Sequence, residues 1–200
     1  MKKRILLTLI LWTATAAAKG DGDRDLSAFA GVGLFLGQMS LNPAGVGDPS
    51  NFKNQGYLLE GGFSVPFSSR FGAQASGEIG QSNAINTIVS ESYLEAGTLN
   101  FYSAKFGLFY GPVTMGVGYR HNAVEIKSVS TEEETGFQKS VYSGWNTFLY
   151  GNISMDFLKR YRGAVEAQYQ RGDLGSGPAG ANTVGFTEIS ISLRAYLLFD

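Results

Sequence analysis

The chain has 200 residues with 16 Lys and Arg against 17 Asp and Glu, so no basic surplus marks a nucleic-acid partner. It has no cysteine, which excludes a disulfide framework and thiol chemistry. Glycine is abundant at 27 residues and aromatics reach 13%, while overall hydrophobicity stays modest. That balance suits a barrel whose apolar residues are spread one in two.

Met1-Lys2-Lys3-Arg4 is a positive n-region, and Ile5 to Trp12 is an apolar run broken only by Thr8. Ala16-Ala17-Ala18 supplies the small residues that precede signal cleavage, so residues 1–18 read as a secretory signal peptide. Without Lys2, Lys3 and Arg4 the count becomes 13 basic against 17 acidic groups, a net charge near −4. Residues 19–25 form a polar periplasmic leader, and residues 26–200 form the barrel domain.

From there the alternation predicts eight strands. The first covers Leu26 to Met39, with Ala28, Ala30, Val32, Leu34 and Leu36 on one face. A loop rich in Gly, Pro and Asn occupies 41–54. The second strand runs from Gln55 to Pro66 and presents Tyr57, Leu59, Phe63 and Val65. Phe67-Ser68-Ser69 is a tight turn into the third strand, Arg70 to Gln81. A connection over 82–97 leads to the fourth, Thr98 to Tyr110, with Tyr102, Ala104, Phe106, Leu108 and Tyr110 together. Gly111-Pro112 is a sharp turn, because proline fits a turn and not a sheet interior.

The fifth strand, Val113 to His121, precedes a polar loop over 122–140 that contains Glu132-Glu133-Glu134. The sixth runs from Val141 to Phe157 and turns at Leu158-Lys159-Arg160 into the seventh, Tyr161 to Arg171. A Gly-, Ser- and Pro-rich loop over 172–182 follows. The closing strand is the clearest. Ile189, Ile191, Leu193, Ala195, Leu197 and Phe199 share one parity, and Glu188, Ser190, Ser192, Arg194 and Tyr196 share the other. A period of two over that length suits a tilted strand crossing a bilayer.

Connections therefore alternate long and short, as in outer-membrane barrels with short periplasmic turns. A soluble up-and-down barrel of the lipocalin kind has the opposite sense, apolar inside. The aromatics decide for the membrane. Phe67, Phe71, Tyr110, Phe157, Tyr161 and Phe199 fall at the short-turn ends, and Tyr57, Tyr119, Trp145 and Tyr169 fall toward the long loops. Two such belts mark the two faces of a bilayer, where outer-membrane lipids are the partners. The opposite parity carries Glu60, Glu78, Lys105, Arg120, Glu166 and Arg194, with Glu188 higher. Three acids and three bases cancel. Adjacent strands bring Glu78 beside Lys105 and Glu166 beside Arg194, a neutral ionic plug that fills a narrow bore.

These features together resemble the small OmpA/OmpX-type barrels of Gram-negative outer membranes. The resemblance spans nearly the whole mature chain and implies an eight-stranded antiparallel up-and-down transmembrane β-barrel. It also implies insertion by the barrel-assembly machinery, which reads a last strand ending in an aromatic; here Phe199 is penultimate and Asp200 follows. Lipid A deacylases of the outer membrane use a His-x-Ser-Asn motif. The run here is Tyr119-Arg120-His121-Asn122-Ala123, without the serine, so no catalytic residue is assigned. The glutamate run reads as solvated loop, and neither a metal nor a cofactor is expected. Three functions remain: a non-enzymatic scaffold with loops for adhesion or another extracellular ligand, a narrow pore or OmpW-like carrier of small or apolar solutes, and a lipid-modifying enzyme.

Overall fold

A computed structural model describes residues 26–43, 50–86, 94–128, 138–176 and 182–199. The signal peptide, the leader and Glu132–Glu134 lie outside them. The described chain is eight strands: β1 (Ser27–Pro43), β2 (Ser50–Pro66), β3 (Phe71–Asn86), β4 (Leu94–Tyr110), β5 (Val113–Ser128), β6 (Gln138–Leu158), β7 (Tyr161–Ser176) and β8 (Asn182–Phe199). Each pairs antiparallel with its sequence neighbour, and β8 closes onto β1 through a ladder from Ala28–Phe199 to Pro43–Val184. Closure leaves no sheet edge, so every strand finds its backbone partners within the barrel.

Turns at one end are tight. Phe67 and Ser68 both donate backbone hydrogen bonds to the Phe71 carbonyl, at 2.8 and 2.9 Å. Gly111 has φ of 57°, a left-handed conformation that a side chain disfavours, and its N–H reaches the Arg70 carbonyl at 2.7 Å. Inward glycines serve a second purpose. A Cβ on Gly31 would collide with the Tyr196 ring, and one on Gly118 with the Phe148 ring. Gly31 and Tyr196, like Gly118 and Phe148, are register partners. Bare backbone on one strand thus makes room for a large ring from the next.

The parity resolves as read from the sequence. Leu34, Leu36, Phe106, Met115, Leu149 and Leu193 point out and are exposed, whereas Glu166 is fully buried in the lumen. Tyr102 and Tyr110 stand eight residues apart on β4, as do Tyr161 and Tyr169 on β7. Eight residues cover about 26 Å of strand, or roughly 20 Å of height at a tilt of ~40°. That height is close to the apolar band of about 25 Å in outer-membrane barrels.

The strands are longer than the sequence predicts. They run 16 to 21 residues, well beyond the ~9–11 that cross hydrocarbon. Stretches read as loop at 41–54, 82–97, 122–140 and 172–182 are in large part strand continuing past the aromatic belt. The alternation persists there with its polarity reversed. Met39, Leu41, Phe52, Leu99, Val124, Leu174, Val184 and Phe186 are buried inside. Gln55, Asn83, Asn100, Arg171 and Asp173 are exposed outside. The lower barrel is thus built for lipid, and the upper barrel is a water-facing collar around an ordinary apolar core.

A closed ladder with an outward apolar belt resists detergent until heated. The protein is expected to migrate at two positions on a detergent gel, one unboiled and one boiled, with a β-type circular dichroism spectrum. A single position, or solubility without detergent, would sink the membrane assignment.

Candidate functional site: the filled lumen

The lumen is layered. At its centre three cations meet four carboxylates. Lys105 Nζ from β4 lies 2.7 Å from Glu60, 3.3 Å from Glu78 and 3.1 Å from Glu166. Arg194 from β8 donates through Nη1 to Glu60 at 2.5 Å and to Glu78 at 3.0 Å, and through Nη2 to Glu166 at 2.5 Å. Arg120 from β5 donates to Glu78 and, at 2.5 Å, to Gln168 Oε1. The six charged residues read from the polar parity therefore converge. The two neighbouring-strand pairs, Glu78 with Lys105 and Glu166 with Arg194, are among the contacts.

Neutral donors complete the cluster. Tyr196 Oη and Ser76 Oγ donate to Glu60 at 2.6 and 2.7 Å, and Gln168 Nε2 donates to Glu166 at 2.6 Å. Arg194 Nε is anchored on Ser192 Oγ at 2.8 Å. Every charge here is dry, with side-chain exposure of 3% or less. Such burial is tolerable only because the ions pair and hydrogen-bond.

Glu188 changes the balance of charge. It lies in the same network, 3.6 Å from Arg120, and accepts from Asn54 Nδ2 at 2.6 Å. The lumen then holds Glu60, Glu78, Glu166 and Glu188 against Lys105, Arg120 and Arg194, a formal surplus of one negative charge rather than zero. Pattern alone placed Glu188 above the cluster. The reach of Arg120, which touches both Glu78 and Glu188, brings it in.

Arg120 also marks the border with the next layer. Its guanidinium sits 4.3 Å from the Phe101 ring centre and 4.7 Å from that of Phe148. Cation–π attraction is strongest where water is excluded. Above it Phe35, Met39, Leu41, Phe52, Leu58, Leu99, Phe101, Val124, Leu174, Val184 and Phe186 form one buried apolar cluster, with Tyr142 packed against it. The sequence reading missed this cap. Its signal was present as Phe35, Met39, Leu41, Phe52, Leu58 and Phe101 on the nominally polar parity. At the turn end, Phe29, Gln74, Asn152, Arg162 and Tyr196 line a small open recess.

On the outer surface the belts are where the aromatics were placed. Phe67, Phe71, Tyr110, Phe157, Tyr161 and Phe199 are exposed at the turn end, and Tyr57, Tyr119, Trp145 and Tyr169 toward the other. Tyr102 and His121 join the upper belt. His121 stacks on Tyr102 with ring centres 4.9 Å apart and meets Trp145 edge-on at 5.2 Å. Tyr119 stacks on Trp145 at 4.8 Å.

An apolar belt between two aromatic rims, around a closed barrel with its charges inside, decides the class. The chain is a small transmembrane β-barrel of the outer-membrane kind. No protein-family model and no curated protein matches the sequence. Among solved structures, Ail, the attachment invasion locus protein of Yersinia pestis, aligns over 86% of this chain and 99% of its own at 14% identity and a TM-score of 0.47. Outer membrane protein AlkL covers 91% and 94% at 12% identity and a TM-score of 0.48. Neisserial surface protein A covers 82% and 95% at 10% identity and a TM-score of 0.41. Those similarities are too low to carry a role from any of them to this barrel.

The ionic layer makes two substitutions differ in sign of expectation. Arg194→Ala leaves Glu60 and Glu166 with Lys105 as their one cation and Glu78 with Lys105 and Arg120, and breaking a buried pair costs about 3–5 kcal/mol. Glu166→Gln together with Arg194→Gln should recover part of that loss. Lipid-facing Leu193→Ala should cost less than Arg194→Ala, since it orphans no ion. Glu188→Gln removes the formal surplus and should be near neutral or stabilising. Urea unfolding in vesicles of fixed composition checks all four, and a neutral Arg194→Ala would refute the layer as a stabilising unit.

Proposed function

We propose that this protein is a non-enzymatic scaffold of the outer membrane that holds surface loops above the bilayer. The single observation that carries this reading is the filling of the lumen at two successive levels, first ionic and then apolar. An eight-stranded barrel is only just wide enough for its own side chains. Here those side chains are held by charge below and by packing above, so the bore is filled. What such a barrel presents is its loop end. Loops on a rigid frame are where binding usually resides.

The collar strengthens that reading. Strands that continue past the aromatic belt carry their ends, such as Pro43, Asn86, Ser128 and Asn182, away from the lipid surface, on a frame with its own core. Adhesion or capture of an extracellular ligand is the role this geometry suits. Insertion by the barrel-assembly machinery, with Phe199 in the terminal strand, belongs to the same reading.

The apolar cap favours one second reading, a route for small apolar solutes. Against it stands the ionic layer directly beneath, which any such solute must pass or skirt. An enzymatic role has less support. His121 faces lipid between Tyr102 and Trp145, away from the lumen and its carboxylates.

Planar-bilayer recording tests the scaffold. The purified barrel is expected to show no steady conductance. Sustained openings, or protein-dependent uptake of an apolar dye into vesicles, would transfer the assignment to transport. Orientation is tested separately in whole cells. Cysteines replacing Asn42 and Asp173 are expected to react with an impermeant thiol reagent, and those replacing Ser68 and Lys159 are not. Equal reaction of both sets would reject the proposed topology.

A further inference from the structure

The outer face of the collar is not uniform. On the β1–β4 half it is rich in carboxamides: Gln38, Asn51, Gln55, Gln81, Asn83 and Asn100. The register makes them one patch. Asn51 pairs with Ser40, and Lys53 with Gln38. Gln55 pairs with Asn83, and Tyr57 with Gln81. Gln81 in turn pairs with Asn100. Lys53 is exposed beside Gln38, and the acidic residues nearest the patch are Glu95, farther along β4, and Glu125 on the adjoining β5. Around the barrel the outward collar positions of β5 and β7 carry Glu125, Arg171 and Asp173 instead.

Such a surface is unusual for a strand. Asparagine is depleted in sheets because its side chain competes for the backbone, and a solvated strand ordinarily uses threonine or charge. A carboxamide does offer both a donor and an acceptor in fixed geometry without net charge. Here one is already oriented: Tyr57 Oη donates to Gln81 Oε1 at 2.9 Å, which fixes that carboxamide and leaves its amino group to donate. The chemistry that matches a field of paired neutral donors and acceptors is a polyol, and the lone lysine adds a partner for phosphate. A protein partner of either charge finds little to pair with. Four strands at about 4.8 Å spacing give a patch about 15 Å wide, the size of a short oligosaccharide.

Depth identifies the source. The patch begins at Tyr57, an aromatic of the upper belt, and rises from it along β2 through Gln55 and Lys53 to Asn51. That is the level of the lipid headgroups, beside the barrel rather than above it. We propose that the β1–β4 face of the collar binds the phosphorylated sugar headgroup of an outer-leaflet glycolipid laterally, through its carboxamides and Lys53. The inference rests on the outer-membrane reading above and adds a ligand class to it.

The test uses the purified full barrel in detergent micelles and native mass spectrometry. Four probes are compared: lipid A alone, lipid A carrying its core oligosaccharide, the delipidated core oligosaccharide, and phosphatidylglycerol. The core-carrying glycolipid is expected to be retained at least tenfold more strongly than lipid A. The exposed triple change Gln55→Ala, Asn83→Ala and Asn100→Ala should bring the two within twofold. Arg171→Ala with Asp173→Ala on β7 should leave the tenfold preference intact. Gln55→Glu with Asn83→Asp keeps the side-chain size and should also abolish the preference, which covers failure of the triple variant to fold. Equal retention of lipid A and the core-carrying form by the unmodified protein overturns the proposal. So does an unchanged preference in both carboxamide variants. Equal retention of the delipidated oligosaccharide would overturn the lateral source in favour of a glycan presented from outside. None of these outcomes depends on orientation in the cell, so the labelling result and this one fail separately.

Discussion

Everything in this molecule follows from closing eight strands on themselves. Closure satisfies the backbone, which lipid cannot do, and in the same step it fixes the bore at the width of its own side chains. Each residue then faces either outward or into a space already full. An inward charge has nowhere to go but to another inward charge. Lys105 and Arg194 each touch the same three glutamates, Glu60, Glu78 and Glu166, contributed by three separate strands. The cluster therefore ties β2, β3, β4, β7 and β8 across the barrel, perpendicular to the ladders that tie them around it.

The two layers divide that task by what surrounds them. Within the hydrocarbon band the outside is apolar, so burying more hydrocarbon inside gains little over leaving it to lipid. Polar pairing is what holds the interior in one arrangement. Beyond the belt the outside is water, and the hydrophobic effect regains its usual direction. The interior switches there to Phe52, Leu99, Leu174 and Phe186. Arg120 sits at the switch and belongs to both sides, bonded to Glu78 and flanked by Phe101 and Phe148. One period-two pattern thus encodes two opposite solvents along a single strand.

That reversal explains what was legible in the sequence. Where one parity is wholly apolar and the other wholly polar, as from Glu188 to Phe199, direction and register were plain, and so was the convergence of the six charges. Past the belt the two parities exchange polarity. Met39 and Leu41 stand beside Gln38 and Ser40, and Leu174 beside Asp173. Glycine, proline and asparagine are frequent in the same stretches, so a strand there looks like loop. Phe35, Phe52 and Phe101 carried the missing information, but single rings on a polar parity become a core only when closure brings them together. Glu188 does lie above the six charges, as its position on β8 indicates, and what the pattern could not show is that it joins them. Its height was estimated along its own strand, whereas its partner Arg120 reaches up from another.

The collar also changes what a small barrel of this kind can be. A barrel that ended at its aromatic belt would owe its external shape to loops alone. Here the ordered sheet continues, with a core of its own, into the zone where lipid gives way to water. Side chains on that continuation are held at strand spacing rather than loop spacing, so a patch such as Gln55, Asn83, Gln81 and Asn100 keeps one geometry. Rigid presentation lowers the ordering cost of any contact made there. The same apolar cap that packs the upper lumen is what holds that outer surface in shape, since the collar strands have no lipid to press on and only Phe52, Leu99 and their neighbours to fold around. Filling the upper lumen and shaping the surface are two consequences of one packed layer.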